Sequence, residues 1–148
     1  MKHYNLAIEH DKTVGYFFYN RGLVKSRLDN VEKAVEDYTN ALALLTEADY
    51  LYQCNFNMGI CLRRLGPEYL DKSIDHLKKS VEMKNDRASA HNNLGLSYFE
   101  KGEFEDALIH YSKAIGIEPT SVHYNNKGLA NYHINRQEEA KADFDMAI

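Results

Sequence analysis

The sequence predicts an all-α chain of repeated antiparallel helical hairpins, and three observations carry that prediction. Asn-x-Gly occurs four times in 148 residues, at Asn20/Gly22, Asn57/Gly59, Asn93/Gly95 and Asn126/Gly128. Behind each glycine comes a triplet of small, large and small residues. The chain holds only Pro67 and Pro119 as prolines and few β-branched runs, so little interrupts a helix.

The triplets are Ala34/Tyr38/Ala41, Ser73/Leu77/Ser80, Ala107/Tyr111/Ala114 and Ala140/Phe144/Ala147. Their spacing of i, i+4 and i+7 puts each on one face of a helix. Each glycine lies on the preceding helix, where it costs about 1 kcal/mol relative to alanine, so packing has to explain it. A residue without a Cβ, set opposite an Ala or Ser, lets two antiparallel helices approach closely, with the large residue filling the gap. Between the two helices stand Asp29, Gly66, Gly102 and Asn135, residue types that tolerate the left-handed conformation ending a helix. Pro67 is then expected at the first position of the next helix.

In chain order this predicts residues 1–11 as the end of a second-type (B) helix, since Tyr4 and Ala7 fall in phase with it. Hairpins follow at 15–51, 52–87, 88–120 and 121–148, the last cut short within its B helix. The glycines are 37, 36 and 33 residues apart. Relative to a 34-residue unit, three residues are added near LTEADY, two in the RRLGPEYLDK turn, and one is lost after Pro119.

A 34-residue hairpin with L-G-x2-Y, then A-x3-F, then P, resembles the tetratricopeptide repeat (TPR). The third hairpin carries it most fully, through Leu94, Gly95, Tyr98, Ala107, Tyr111, Ala114 and Pro119. The chain departs from the pattern at the first aromatic position (Phe18, Asn55, His91, Tyr124) and beside the glycine (Arg21, Met58, Leu94, Lys127). The resemblance implies one array, an α-solenoid of helix-turn-helix repeats forming a right-handed superhelix, with first-type (A) helices lining its concave side. No polar capping helix closes either end. An excerpt of a longer array, self-associating through uncapped ends, is therefore expected.

Composition narrows the function. Apolar residues make up 44% and charged residues 27%, ordinary for a folded chain. A formal charge of −4 gives no electrostatic reason to expect nucleic acid or an anionic membrane as partner. There is no apolar run of membrane-spanning length, and MKHYNLAIEHDK lacks the apolar region of a signal peptide. Cys54 and Cys61 lie seven apart, too far along a helix for a disulfide. They read as reduced core residues of an intracellular, cytoplasmic protein.

Nothing here predicts an enzyme, a catalytic residue, a cofactor or a metal. The glycines punctuate helices and form no phosphate loop. His76 and His110 occupy equivalent B-helix places, while Glu103, Glu105 and Asp106 sit at a helix start, where the dipole favours them.

In TPR arrays, A-helix places 2, 5, 6, 9, 12 and 13, counted from seven residues before the glycine, face the ligand. Place 6 is Asn20, Asn57, Asn93 and Asn126, with Asn92 and Asn125 alongside at place 5. A carboxamide can pair with both the C=O and the N–H of a peptide bond. The row resembles the asparagine ladder of the TPR arm in O-linked N-acetylglucosamine transferase. A gripping ladder requires free amides in one line; alternatively, Asn at this place supports helix packing. Tyr19, Phe56, Phe99 and Tyr132 are expected at the groove rim. Arg27, Arg63 and Arg64 either make its first half basic or are solvated helix ends. The two-carboxylate clamp that holds Hsp70 and Hsp90 tails is not expected, because Tyr19, Leu23, Ser89 and Asn93 stand at its positions and only Asn57 matches.

The expected function is a protein–protein interaction scaffold binding an extended peptide or partner helix. The alternatives are a self-stacking spacer or a non-catalytic, substrate-presenting arm of a larger enzyme. A resemblance to TPR arrays of ciliary and cytoskeletal assemblies adds a possible location.

Overall fold

Each hairpin closes through a residue held in the left-handed backbone region. In the computed structural model, which describes residues 3 and 14–148, φ is +60° at Asp29, +131° at Gly66, +86° at Gly102 and +62° at Asn135. These are the four turn positions read from the sequence. The reversal returns N–H groups to the orphan carbonyls of the helix just ended: Asn30 N to Lys25 O at 2.9 Å, Glu103 N to Tyr98 O at 2.9 Å, and Arg136 N to Asn131 O at 2.9 Å.

Eight α-helices and no strand form among the described residues. The chain divides into two units, 1–83 and 84–148. The first contains α1 (Gly15–Arg27), α2 (Val31–Leu44), α3 (Ala48–Leu65) and α4 (Leu70–Met83). The second contains α5 (Ala88–Lys101), α6 (Phe104–Ile117), α7 (Ser121–His133) and α8 (Gln137–Ala147). Pro67 opens a short 3-10 turn, Pro67–Tyr69, ahead of α4, and not the α-helix itself. The two-residue insertion is absorbed there. Apart from residue 3, the predicted helix over 1–11, with Tyr4 and Ala7, lies outside the described residues.

The helical glycines have a sharper reason than close approach to small residues. A Cβ on Gly95 would stand 2.6 Å from the Tyr111 ring, and one on Gly22 2.9 Å from the ring of Tyr38. At Gly128 the neighbour is Phe144 at 2.7 Å, and at Gly59 it is Leu77 at 2.5 Å. The glycine is therefore a seat for the large middle residue of the triplet, while the flanking Ala and Ser residues fit between helices. Tyr38, Leu77 and Tyr111 are almost wholly buried in consequence.

In the first unit, Tyr19, Ala34, Tyr38, Ala41, Cys54, Met58, Cys61 and Leu62 form one core. Both cysteines are free and buried, as expected. Burial pushes the Cys54 thiol up to about 12, so it stays protonated and unreactive.

Candidate binding faces on the A helices

Two A helices belong to each unit: α1 and α3 in the first, α5 and α7 in the second. Their facing places carry most of the polar bonds that join one hairpin to the next. Tyr19, at place 5 of α1, donates its hydroxyl to Gln53 Oε1 on α3 at 2.8 Å. It also accepts from Asn57 Nδ2 at 3.3 Å. The Asn57 amide reaches its own helix as well, at Gln53 O, 2.9 Å. In the second unit, Asn126 Nδ2 on α7 donates to Asn92 Oδ1, at place 5 of α5, at 2.9 Å. The same relation holds in both units: place 6 of one A helix bonds place 5 of the A helix before it.

The asparagine row is therefore not free in the way a gripping ladder requires. Asn93 donates to Ser89 O at 2.9 Å, one turn back. Asn20 alone of the four makes no side-chain hydrogen bond among the described residues. All four are half-buried; Asn93 and Asn126 each keep a carbonyl oxygen and a second N–H, whereas Asn57, which donates to both Tyr19 and Gln53, keeps only its carbonyl oxygen.

Tyr19, expected at the rim, is 4% exposed and packs against Tyr38 and Tyr50 with ring centres 6.1 and 5.7 Å apart. Burial raises its hydroxyl above the ordinary tyrosine range. Phe56 is half-buried and stacks on Tyr52 at 6.1 Å. Arg64 reaches back to the end of α1, donating to Asp29 Oδ1 at 2.6 Å and to Ser26 O at 3.4 Å. Its charge completes a helix C-terminus, where a cation is favourable. Arg63 beside it is half-buried and Arg27 is exposed. Of the expected basic groove half, Arg64 is thus committed within the chain.

The second unit presents a different surface. Phe99 is half-buried, edge-on to Phe104 and His133 at 5.2 Å each, and Phe104 stacks on His133 at 4.7 Å. On α7, Val122 is 61% exposed, Leu129 39% and Tyr132 61%. Asn125 is exposed beside them, whereas Asn92 is buried.

Sequence reasoning missed the polar pairs inside the hairpins. Asp37 on α2 is 1% exposed and receives Arg21 Nη2 at 2.7 Å, Arg21 Nε at 2.9 Å and Lys25 Nζ at 2.7 Å. Those hydrogen bonds raise the Arg21 guanidinium further above its ordinary value. Asp143 on α8 receives Lys127 Nζ at 3.0 Å and Asn131 Nδ2 at 2.8 Å. The departures from the repeat pattern at Arg21 and Lys127 were the signal: each cation pairs with a carboxylate one turn-and-helix later. At the equivalent B-helix place the middle hairpins carry histidines. His76 Nδ1 donates to Asn55 Oδ1 at 2.8 Å, and His110 lies with its Nδ1 3.3 Å from His91 Nδ1. Because His91 Nε2 faces the Asn85 carbonyl at 2.9 Å, it carries the hydrogen, and Nδ1 is the acceptor.

Residues 88–121 and 16–44 each match the tetratricopeptide repeat family. Both stretches are tetratricopeptide repeats (TPRs), and the chain carries that repeat. Among solved structures, the TPR chain is similar to MamA, with a TM-score of 0.89 at 23% identity over 97% of this chain and 82% of that one. A MamA structure from Desulfovibrio magneticus RS-1 gives 0.87 at 19%, over 95% and 77%. YrrB, described as a TPR protein with an unusual peptide-binding site, gives 0.85 at 22%, over 98% and 73%. Likeness at these identities shows the fold. In sequence, the TPR chain is 27% identical to sperm-associated antigen 1 of Rattus norvegicus over 79 residues, 53% of this chain and 9% of that protein. It spans less than a tenth of that relative's length.

Among the described residues, no group of three or more His, Cys, Asp or Glu could hold a metal ion. No described helix is long and apolar enough to cross a membrane.

Proposed function

We propose that this chain is a non-catalytic, cytoplasmic interaction scaffold that holds an extended peptide or a partner helix on its A-helix faces. The observation that carries the reading is the α7 face. Val122, Leu129 and Tyr132, at i, i+7 and i+10, expose 61%, 39% and 61% of their surface beside Asn125. Large apolar side chains aligned on one helix face and rimmed by amides suit a protein ligand and not nucleic acid. TPR solenoids use the surfaces lined by their repeats in this way, and the peptide-binding site named for YrrB belongs to a protein of similar fold. Asn93 and Asn126 contribute through the carbonyl and N–H that their internal bonds leave over.

The test is to pan a phage-displayed 12-residue peptide library against the full chain and measure the selected peptides by calorimetry. Leu129→Ala with Tyr132→Ala is expected to weaken them tenfold or more, and Asn93→Ala by about 0.5–1.5 kcal/mol. Selected peptides that bind the double variant unchanged would remove the reading.

A second reading, self-association, is favoured by the outer side of the last hairpin. There Tyr132, Ala140 and Phe144 bound an open cavity of about 330 Å³, and Met146 is 61% exposed. Sedimentation equilibrium should show dimers at micromolar concentration and above, and a monomer throughout would exclude it.

A further inference from the structure

A cleft of about 600 Å³ lies within the second unit on the side away from the exposed α7 residues, walled by α6, by α7 and by the start of α8. Leu108 and Ile109 give it an apolar floor, and Glu105, Glu139, Lys127 and Arg136 surround that floor. Ile109 is 53% exposed. The equivalent B-helix places, two residues after the first small residue of each triplet, hold Glu36, Asp75 and Ala142, all exposed. Only the third hairpin puts a large aliphatic residue there. Along α6 the stripe continues as Glu105, Ile109, Ser112 and Gly116, spaced i, i+4, i+7 and i+11. Gly116 has no packing reason, since nothing lies within 4 Å of a Cβ built on it. The stripe is about 16 Å long at 1.5 Å per residue, and the cleft lies along its part from Glu105 to Ser112.

The charges decide what fits. Lys127 is returned to Asp143 at 3.0 Å inside the hairpin. Glu105 and Glu139 carry no ion pair among the described residues, and Arg136 offsets one of them, so the unpaired charge of the rim is negative by one. We propose that this cleft docks a short amphipathic helix of a partner protein, with aliphatic side chains over Ile109 and basic residues flanking them. The small residues at Ser112 and Gly116 let such a helix approach α6 closely. This surface is separate from the α7 face and does not depend on it.

The probes are two synthetic 14-residue helices labelled with fluorescein, with leucines at i, i+3, i+4 and i+7 and either lysines or glutamates elsewhere. They are titrated against the full chain by anisotropy, with amide NMR spectra recorded in parallel. The Leu/Lys helix is expected to bind at least tenfold more tightly than the Leu/Glu helix, shifting the amides of residues 105–116 and 136–139. Ile109→Ser should weaken it tenfold or more with the melting temperature unchanged, because this side chain is exposed. Glu105→Lys with Glu139→Lys should weaken it as much, with a slightly lower melting temperature, because both carboxylates lie in a first helical turn. Tyr132→Ala should leave it intact. Equal binding of the two helices, no binding by either, indifference to Ile109→Ser, or shifts confined to Val122, Leu129 and Tyr132 would each overturn the proposal.

Discussion

Hairpin α1–α2 and hairpin α5–α6 share one lock and differ in the polar contact beside it. In both, a ring lies over a glycine, Tyr38 on Gly22 and Tyr111 on Gly95. Next to the lock, the first has Asp37 held by Arg21 and Lys25, while the second has His91 facing His110, with Tyr98 stacked on His110 at 5.6 Å. Helix approach depends on excluded volume, which only glycine relieves, so the lock recurs unchanged. The polar place needs only a satisfied pair, and a carboxylate with two cations or two neutral imidazoles both meet that condition. Their sensitivities differ: one depends on charge balance, the other on protonation.

The comparison breaks most visibly at Asp37. Asp37→Ala leaves Arg21 and Lys25 against a buried site with no carboxylate, and should cost about 3 kcal/mol in a denaturant melt. A loss below about 1 kcal/mol would mean that solvent already screens the pair.

Next in size is the shared lock. Gly95→Ala forces a methyl group to within 2.6 Å of the Tyr111 ring, and overpacking of this kind costs about 2 kcal/mol. Gly22→Ala should behave alike. Unequal losses would show that the two hairpins are not locked by one mechanism.

Smaller is the turn. Gly102→Ala places a Cβ at φ +86° with nothing within 4 Å, so only backbone strain is felt, about 1 kcal/mol. The reverse change, Asn135→Gly at φ +62°, should be neutral or slightly stabilising.

The smallest effect separates the hairpins by pH. Burial lowers His91 below the ordinary histidine value, and burial lowers His76 likewise. The unfolded chain then binds more protons than the folded one as pH falls below about 6.5, so stability is full above that pH and declines beneath it. Arg21 keeps its charge throughout. Hydrogen exchange followed from pH 7.5 to 5 should show protection falling first in α3–α6 and least in α1–α2. Uniform loss across all the helices would contradict this.

The glycines, the turn residues and the triplets were legible from sequence because each reports a local condition: a missing Cβ, a positive φ, or one helix face. Arg21 and Lys127 were visible as departures, but not as the partners of Asp37 and Asp143, since that pairing requires two helices to be folded against each other. Tyr19 and the asparagine row lay further out of reach. Whether Tyr19 is a rim residue or core, and whether Asn57 and Asn126 are free or bonded, depends on which side chain stands 34 to 38 residues away on the next A helix. Periodicity alone therefore determined the hairpins and their closing turns, because backbone sterics act within a few residues. The tertiary structure decided which amides and aromatics remain available to a partner, because burial and hydrogen bonding are set only when a second surface arrives.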